Sequence, residues 1–163
     1  MIKGMRKLGF AAIAFVGVSS QAFAQAPGCI VLKTVAEVEQ VTVNAKGEKS
    51  TKLVPAGKVV PGVEVIYTVT ANNICKQPTD KMTISNAVPE HMTFAANSAA
   101  GPGADITYSL DGSTFGTTEQ LTVQENGVTR KARADEYKHI RWTFKDSLQP
   151  GAHGFGRYRA VLN

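Results

Sequence analysis

The stretch that decides the fold is residues 64–71, which read EVIYTVTA. Apolar and polar side chains alternate along it, so Val65, Tyr67, Val69 and Ala71 share one face. Residues two apart lie on the same side of a β-strand, and this alternation therefore predicts a strand with one buried face.

The same alternation recurs along the chain, in residues 81–85, 106–110, 120–125, 140–144 and 155–162. Asn126-Gly127 follows one of these segments and predicts a tight hairpin, because both central residues of that turn need positive φ. Closer to the N-terminus, residues 30–32 and 38–43 are predicted strands, and residues 46–48 a turn. The best helical candidate is residues 34–39, and residues 134–137 are expected to form one turn.

Seven to nine short strands separated by turns predict an all-β fold, an antiparallel β-sandwich. A closed barrel is the alternative. Tyr67, Trp142 and Tyr158 fall at inward positions of their predicted strands, and we expect these three residues to be structural parts of the core.

The N-terminus has the three parts of a signal peptide: the basic residues Lys3, Arg6 and Lys7, an apolar run over residues 8–18, and a small-x-small site ending at Ala24. The apolar run is shorter than the roughly 20 residues that a membrane-spanning helix needs. We therefore expect cleavage after Ala24, export from the cytoplasm, and no transmembrane segment in the mature chain. A retained anchor and a lipoprotein with Cys29 lipidated are the alternatives.

Most of the positive charge belongs to this leader. The whole chain has 18 Lys and Arg against 13 Asp and Glu. Loss of Lys3, Arg6 and Lys7 leaves 15 basic and 13 acidic residues, a net charge of +2. A nucleic-acid-binding domain normally carries a strong basic excess, so we expect no nucleic-acid partner.

The chain has two cysteines, Cys29 and Cys75, which can form only one internal disulfide in an oxidising compartment. The bond would close a loop of about 46 residues, worth roughly 3–4 kcal/mol on the chain-entropy model. A reactive thiol or a metal ligand is the alternative, although neither cysteine has a partner at the usual metal-site spacing.

No pattern predicts catalysis, a metal site or a cofactor. His91, His139 and His153 match no local metal-binding spacing, and we expect them to be exposed to solvent. Asp111-Gly112 is followed by Thr114, Phe115 and Gly116 rather than by the acids of a calcium loop, so a turn is the simpler interpretation. The serines lie in no GxSxG motif, and the glycines form no phosphate-binding loop.

Three segments taken in order resemble a known family. Residues 60–73, VPGVEVIYTVTANN, are similar to a PGd-x-v-x-Y-x-v-x-N strand. Residues 83–94 resemble the v-x-D-x-lP-x-g-l-x-f segment that follows, with Asn86 in place of the usual Asp. Residues 140–151 resemble the closing v-x-W-x-l-x-x-L-x-PG. The ordered set resembles domain of unknown function eleven, a conserved Ig-like repeat of bacterial and archaeal surface proteins.

The resemblance implies an Ig-like topology and brings no catalytic residues. It divides the chain into a signal peptide over residues 1–24, N-terminal strands of the same domain over residues 25–57, and an Ig-like core over residues 58–163. We expect a non-enzymatic protein of the periplasm, cell surface or extracellular space, with protein partners or self-association and a structural or adhesive role. A periplasmic module that binds a carbohydrate or a partner protein, through a loop such as residues 95–104, is the alternative. A small hydrolase would need one of the three histidines beside a Ser, Asp or Glu.

Overall fold

The computed structural model describes residues 28–163, and the predicted signal peptide, residues 1–24, lies outside them. The described chain is all-β apart from a single turn of 3-10 helix, Ala134–Glu136. Its ten strands, one more than the upper expectation, are β1 Ile30–Val43, β2 Lys49–Pro55, β3 Glu64–Asn73, β4 Thr83–Ala87, β5 Met92–Phe94, β6 Ala104–Ser109, β7 Thr122–Glu125, β8 Val128–Lys131, β9 His139–Phe144 and β10 His153–Leu162.

The strands form a five-stranded sheet in the order β2-β1-β3-β10-β5 and a three-stranded sheet in the order β4-β9-β6. All strand pairs are antiparallel. The two sheets share one hydrophobic core, and no strand of residues 28–163 pairs from one sheet to the other. This arrangement is consistent with the predicted β-sandwich rather than with a closed barrel.

Strand β7 pairs with β8 as a separate hairpin. Its turn is Asn126-Gly127, with φ of 52° and 77°, which confirms the hairpin predicted from these two residues. Arg130 on β8 forms a bidentate ion pair with Glu136, 2.8 Å on each side, and so connects the hairpin to the 3-10 turn. This ion pair lowers the pKa of Glu136 to about 2, and the backbone N–H of Arg133 adds to the effect.

The core lies between the inner faces of the two sheets. Val65, Val69 and Ala71 of β3 are buried, as the alternation in residues 64–71 predicts. Trp142 at the centre of β9 is completely buried and packs against Gly156 of β10, where a Cβ atom would overlap the indole ring. Glycine is therefore required at position 156 because the two sheets approach closely there.

Strand β1 differs most from expectation. It is one strand of 14 residues, so the helical candidate over residues 34–39 is not a helix, and the expected gap between two short strands is wrong. Residues 30–37 pair with β3 on one side, and residues 37–43 pair with β2 on the other. The many β-branched residues of β1 suit a strand, and hydrogen bonds to two different neighbours hold its full length extended.

The staggered pairing leaves the β1–β2 hairpin projecting past the start of β3. We call residues 38–54, beyond the last β1–β3 pair at Glu37 and Ile66, the arm. Val41, Val43 and Leu53 lie on one face of the arm and are exposed. The predicted turn at its tip is present, with Gly47 at φ 81°.

Candidate functional site

Cys29 and Cys75 form a disulfide at the N-terminal end of β1. Cys29 immediately precedes β1, Cys75 follows the end of β3, and their Cα atoms are 5.0 Å apart. The backbone N–H of Ile74 also donates to the carbonyl of Cys29. The bond therefore fixes the start of β1 to the end of β3, the one strand of residues 28–163 that pairs with it at that level.

The three core aromatic residues have different environments. Trp142 and Tyr158 are completely buried, whereas Tyr67 is half-buried and stacks on Tyr158 with ring centroids 5.2 Å apart. The ring centroid of Trp142, on the opposite sheet, lies 6.2 Å from that of Tyr158. Tyr158 therefore joins the two sheets at the centre of the core.

Asn86, at the position where the resembled family usually has Asp, binds the Tyr158 hydroxyl. The Asn86 Nδ2 donates to this hydroxyl at 2.9 Å, and the hydroxyl donates to the carbonyl of Ala87 at 3.0 Å. Burial raises the pKa of Tyr158, and the hydrogen bond from Asn86 opposes part of that rise. This polar contact connects β4 of one sheet to β10 of the other.

Asn73 is a completely buried amide that the sequence reasoning missed. Its Nδ2 donates to the carbonyls of Gln77 and Leu148, at 2.9 and 2.8 Å, and its Oδ1 accepts from the backbone N–H of Cys75 at 2.9 Å. Every polar atom of the side chain is thus satisfied, as a buried amide requires. Asn73 holds the loop that carries Cys75 in place.

Two of the rings that could stack on a sugar are covered on one face. Tyr108 stacks on buried Tyr137 at 4.7 Å, and the guanidinium of Arg141 lies 3.4 Å from the ring centroid of Phe115. Among residues 28–163, every exposed large hydrophobic side chain is aliphatic. Phe155 on the outer face of β10 is half-buried and has no ring contact of this kind in the described chain, so a partly accessible ring remains on the sheet.

The histidines belong to no shared site. His91 lies in the turn before β5 and His153 at the start of β10, and both are exposed, as predicted. The same prediction is wrong for His139, which is half-buried at the start of β9 with its Nδ1 buried and without a hydrogen-bond partner in the described chain. The Phe115 ring packs edge-on against its imidazole, which accounts for the burial.

Asp111 stabilises a turn. Its Oδ1 accepts hydrogen bonds from the backbone N–H groups of Ser113 and Thr114 and from the hydroxyl of Ser109, and these bonds lower the pKa of Asp111. A shallow depression of about 250 Å³ lies beside it, lined partly by Leu110 and Leu121. No group of three or more His, Cys, Asp or Glu side chains within residues 28–163 is placed to hold a metal ion.

The loop over residues 95–104 is held against β10. Ser98 Oγ donates to the carbonyl of Ala95 and accepts from the backbone N–H of Arg159 at 3.0 Å. Ala100 and Arg157 exchange backbone hydrogen bonds at 2.8 Å in both directions. Because the loop continues the sheet beside β10, it is poorly suited to close over a ligand.

Strand β1 has an open edge, which we define as residues 30–36 on the side away from β3. The pairing of β2 with β1 ends at the Glu37–Pro55 pair. One more hydrogen bond follows, in which the N–H of Ala56 donates to the carbonyl of Ala36. In a strand the N–H and C=O of one residue point to the same side, and those of the next residue point to the opposite side. Ile30, Leu32 and Thr34 therefore direct their backbone groups to the open edge, where nothing in residues 28–163 pairs with them.

The open edge is apolar on both faces of the sheet. Val31 is 45% exposed on the outer face, and Leu32 is 55% exposed on the inner face, where the five-stranded sheet extends past the narrower one. Lys33 carries the only charge in residues 30–36. Unpaired backbone groups beside exposed apolar side chains can accept an additional strand.

Strand β10 is paired on both sides along most of its length. It pairs with β3 on one side and with β5 on the other, and the loop with Ala100 continues that second side. The backbone groups of His153 and Phe155 on that second side pair with nothing in residues 28–163, so β10 also has an open segment, but with two such residues against three at the open edge of β1.

No helix of the described chain is long and apolar enough to span a membrane. Comparison with family models, with curated proteins and with solved structures finds no match to this chain.

Proposed function

We propose that this chain is an exported, non-enzymatic Ig-like domain with a structural or adhesive role in the bacterial envelope or outside the cell, and that it self-assembles by strand addition. The observation that carries the proposal is the open edge of β1, held in place by the disulfide at its N-terminal end. A strand with free backbone groups on one side is a binding element that needs no pocket and no reactive side chain.

The arrangement of polar side chains supports a role without catalysis. A nucleophile or general base must lie within hydrogen-bond reach of the group that activates or orients it. No histidine side chain in residues 28–163 hydrogen-bonds to a hydroxyl or a carboxylate. Ser98 bonds to backbone groups, and the hydroxyls of Ser109 and Ser147 donate to the carboxylates of Asp111 and Asp80, without a histidine in either hydrogen-bonded pair.

The leader sequence and the disulfide support export. A disulfide persists in oxidising compartments, and the residues before Ala24 have the pattern that directs a chain there. The resemblance to domain of unknown function eleven agrees with a role at the surface.

The test is to fractionate cells that produce the full chain and to measure the mass of the protein by mass spectrometry under non-reducing conditions. We expect the protein in the periplasmic, surface or extracellular fraction. Its mass should be that of a chain starting at Gln25 and should be lower than that of the reduced chain by two hydrogens. A matched variant without residues 2–24 should stay in the cytoplasm with both thiols reduced. A cytoplasmic full chain that keeps its N-terminus and free thiols would refute the proposed function.

A further inference from the structure

We infer that the open edge of β1 takes the same edge of a second copy, so that two five-stranded sheets join into one continuous antiparallel sheet. This inference rests on the proposed function, and it specifies the partner and the register of the strand addition.

The backbone supplies the contact. Ile30, Leu32 and Thr34 all face the open side, and they lie between the disulfide at one end and the Ala56–Ala36 hydrogen bond at the other. In an antiparallel pair, two residues that face each other exchange both of their backbone hydrogen bonds. Two copies of this short segment can therefore pair with each other when their strands run antiparallel.

Charge selects a register centred on Leu32. A register centred on Lys33 would place two ammonium groups directly opposite, which destabilises a sheet. A register centred on Thr34 would need the carbonyl of Ala36, which already accepts a hydrogen bond from Ala56. Centring on Leu32 uses only the three free residues.

In that register the exposed apolar side chains cover one another. Leu32 lies beside the partner's Leu32 on the inner face, and Val31 lies opposite the partner's Lys33 on the outer face. The aliphatic part of the lysine can pack on the valine while its ammonium stays in water. The isologous contact has two-fold symmetry, so it closes after two copies.

Because the segment is short, the interface is smaller than the roughly 800 Å² per partner of a standard stable complex. We therefore expect a reversible dimer that forms as the protein is concentrated. Sedimentation velocity over a wide concentration range, on the full gene product purified with its disulfide intact, measures this equilibrium.

Thr34→Pro tests the backbone contact. The Thr34 N–H faces the open edge, so proline removes a bond to the partner and none to β3. We expect association at least about tenfold weaker, since both copies lose this bond and proline blocks close approach of the strands. Thr51→Pro is the matched control, because Thr51 faces the outer edge of β2, and it should dimerise like the unmodified chain.

Leu32→Lys tests the register by placing two positive charges together at its centre, and it too should weaken association about tenfold or more. Leu53→Lys, on the exposed face of the arm, is its control. The four substituted side chains lie at exposed positions, so circular dichroism should show all four variants folded.

A chain that stays monomeric at every concentration overturns this inference, as does a dimer that Thr34→Pro and Thr51→Pro weaken equally. A strict monomer would also remove self-assembly from the proposed function, whereas the proposed export is tested separately by the fractionation. A cytoplasmic location would refute the proposed function even if a dimer formed.

Discussion

The Nδ2 of Asn86 on β4 donates a 2.9 Å hydrogen bond to the hydroxyl of Tyr158 on β10. The two residues are 72 positions apart and belong to different sheets. Because the hydroxyl also donates to the Ala87 carbonyl, Tyr158 has a hydrogen-bonded end within an otherwise apolar core. A hydrophobic layer thus gains a directional contact that fixes how one sheet lies on the other.

Removing that hydroxyl should destabilise the fold. Tyr158→Phe leaves the ring in place but removes the acceptor of Asn86 Nδ2 and the donor to Ala87, and we expect a loss of about 1–2 kcal/mol. Equilibrium unfolding in denaturant, with the disulfide intact, measures the loss. Tyr67→Phe is the matched control, because the half-buried Tyr67 hydroxyl makes no hydrogen bond within the described residues. Equal losses in the two variants would contradict the role given to the Asn86 contact.

The same tyrosine should make stability depend on pH in the alkaline range. Burial raises the pKa of Tyr158 above the ordinary value of 10.0, so the folded state holds this proton more tightly than the unfolded state. Below pH 10 the tyrosine is protonated in both states and its contribution to stability is complete. As the pH rises further, the unfolded chain loses the proton first, and the free energy of unfolding falls by roughly 1.4 kcal/mol per pH unit for one such group.

Unfolding curves measured from pH 8 upwards test this expectation. Tyr67, Tyr108 and Tyr137 also have pKa values raised by burial and should contribute to the same decline. Tyr158→Phe should make the decline shallower. If stability falls with pH as steeply in Tyr158→Phe as in the unmodified chain, the Tyr158 proton is not a source of the decline.

The disulfide should contribute several kcal/mol. Cys29 and Cys75 are 46 positions apart, and on the chain-entropy model a loop of that length is worth roughly 3–4 kcal/mol. A double variant, Cys29→Ser with Cys75→Ser, should lose about that much in equilibrium unfolding. Reductant should lower the stability of the unmodified chain towards that of the variant and leave the variant unchanged.

Asn73 should be one of the least replaceable polar residues of the chain. Asn73→Ala removes three hydrogen bonds at a fully buried position and leaves their backbone partners unsatisfied, so we expect a loss of about 3 kcal/mol or more. The neighbouring Asn72 is half-buried on the other face, and Asn72→Ala should cost under about 0.5 kcal/mol. Thermal unfolding of the two variants side by side measures the contrast, and similar melting temperatures would contradict it.

The contact between Gly156 and Trp142 gives a further prediction. Gly156→Ala forces a methyl group into the indole ring at the closest approach of the two sheets, and overpacking of this kind costs about 1–3 kcal/mol or more. Gly57→Ala is the control, since a Cβ atom at Gly57 would meet no atom within 4 Å. Denaturant midpoints should separate the two variants clearly, and coincident midpoints would count against the close packing.

The sequence predicts those parts of the fold that local pattern determines. Alternation in residues 64–71 identifies Val65, Val69 and Ala71 as core residues, although Ile66 on the opposite face is buried as well. Asn126-Gly127 identifies a turn, and both signals act over a few neighbouring residues. Asn73 could not be distinguished from Asn72 in this way. The two are identical in type, and only contacts with Gln77 and Leu148 make one of them part of the core.

The open edge was predictable only in part. The sequence marks residues 30–32 as a strand, but whether a strand has neighbours on both sides depends on residues far away in the chain. The helical candidate over residues 34–39 forms a strand for the same reason, since pairing with β3 and β2 outweighs local preference there. The staggered register of β1, which creates the edge, has no signature in the local sequence.

The link between Cys29 and Cys75 also has a mechanical consequence. Tension applied between Cys29 and the C-terminus would pass through the disulfide directly to the end of β3, so β1 and the arm, which lie between the two cysteines, would not be pulled along their length. From there it would act on the β3–β10 pair, pulling each antiparallel strand from its C-terminal end. The force would lie along the strands and load many hydrogen bonds at once, while the arm and the open edge of β1 kept their shape under strain.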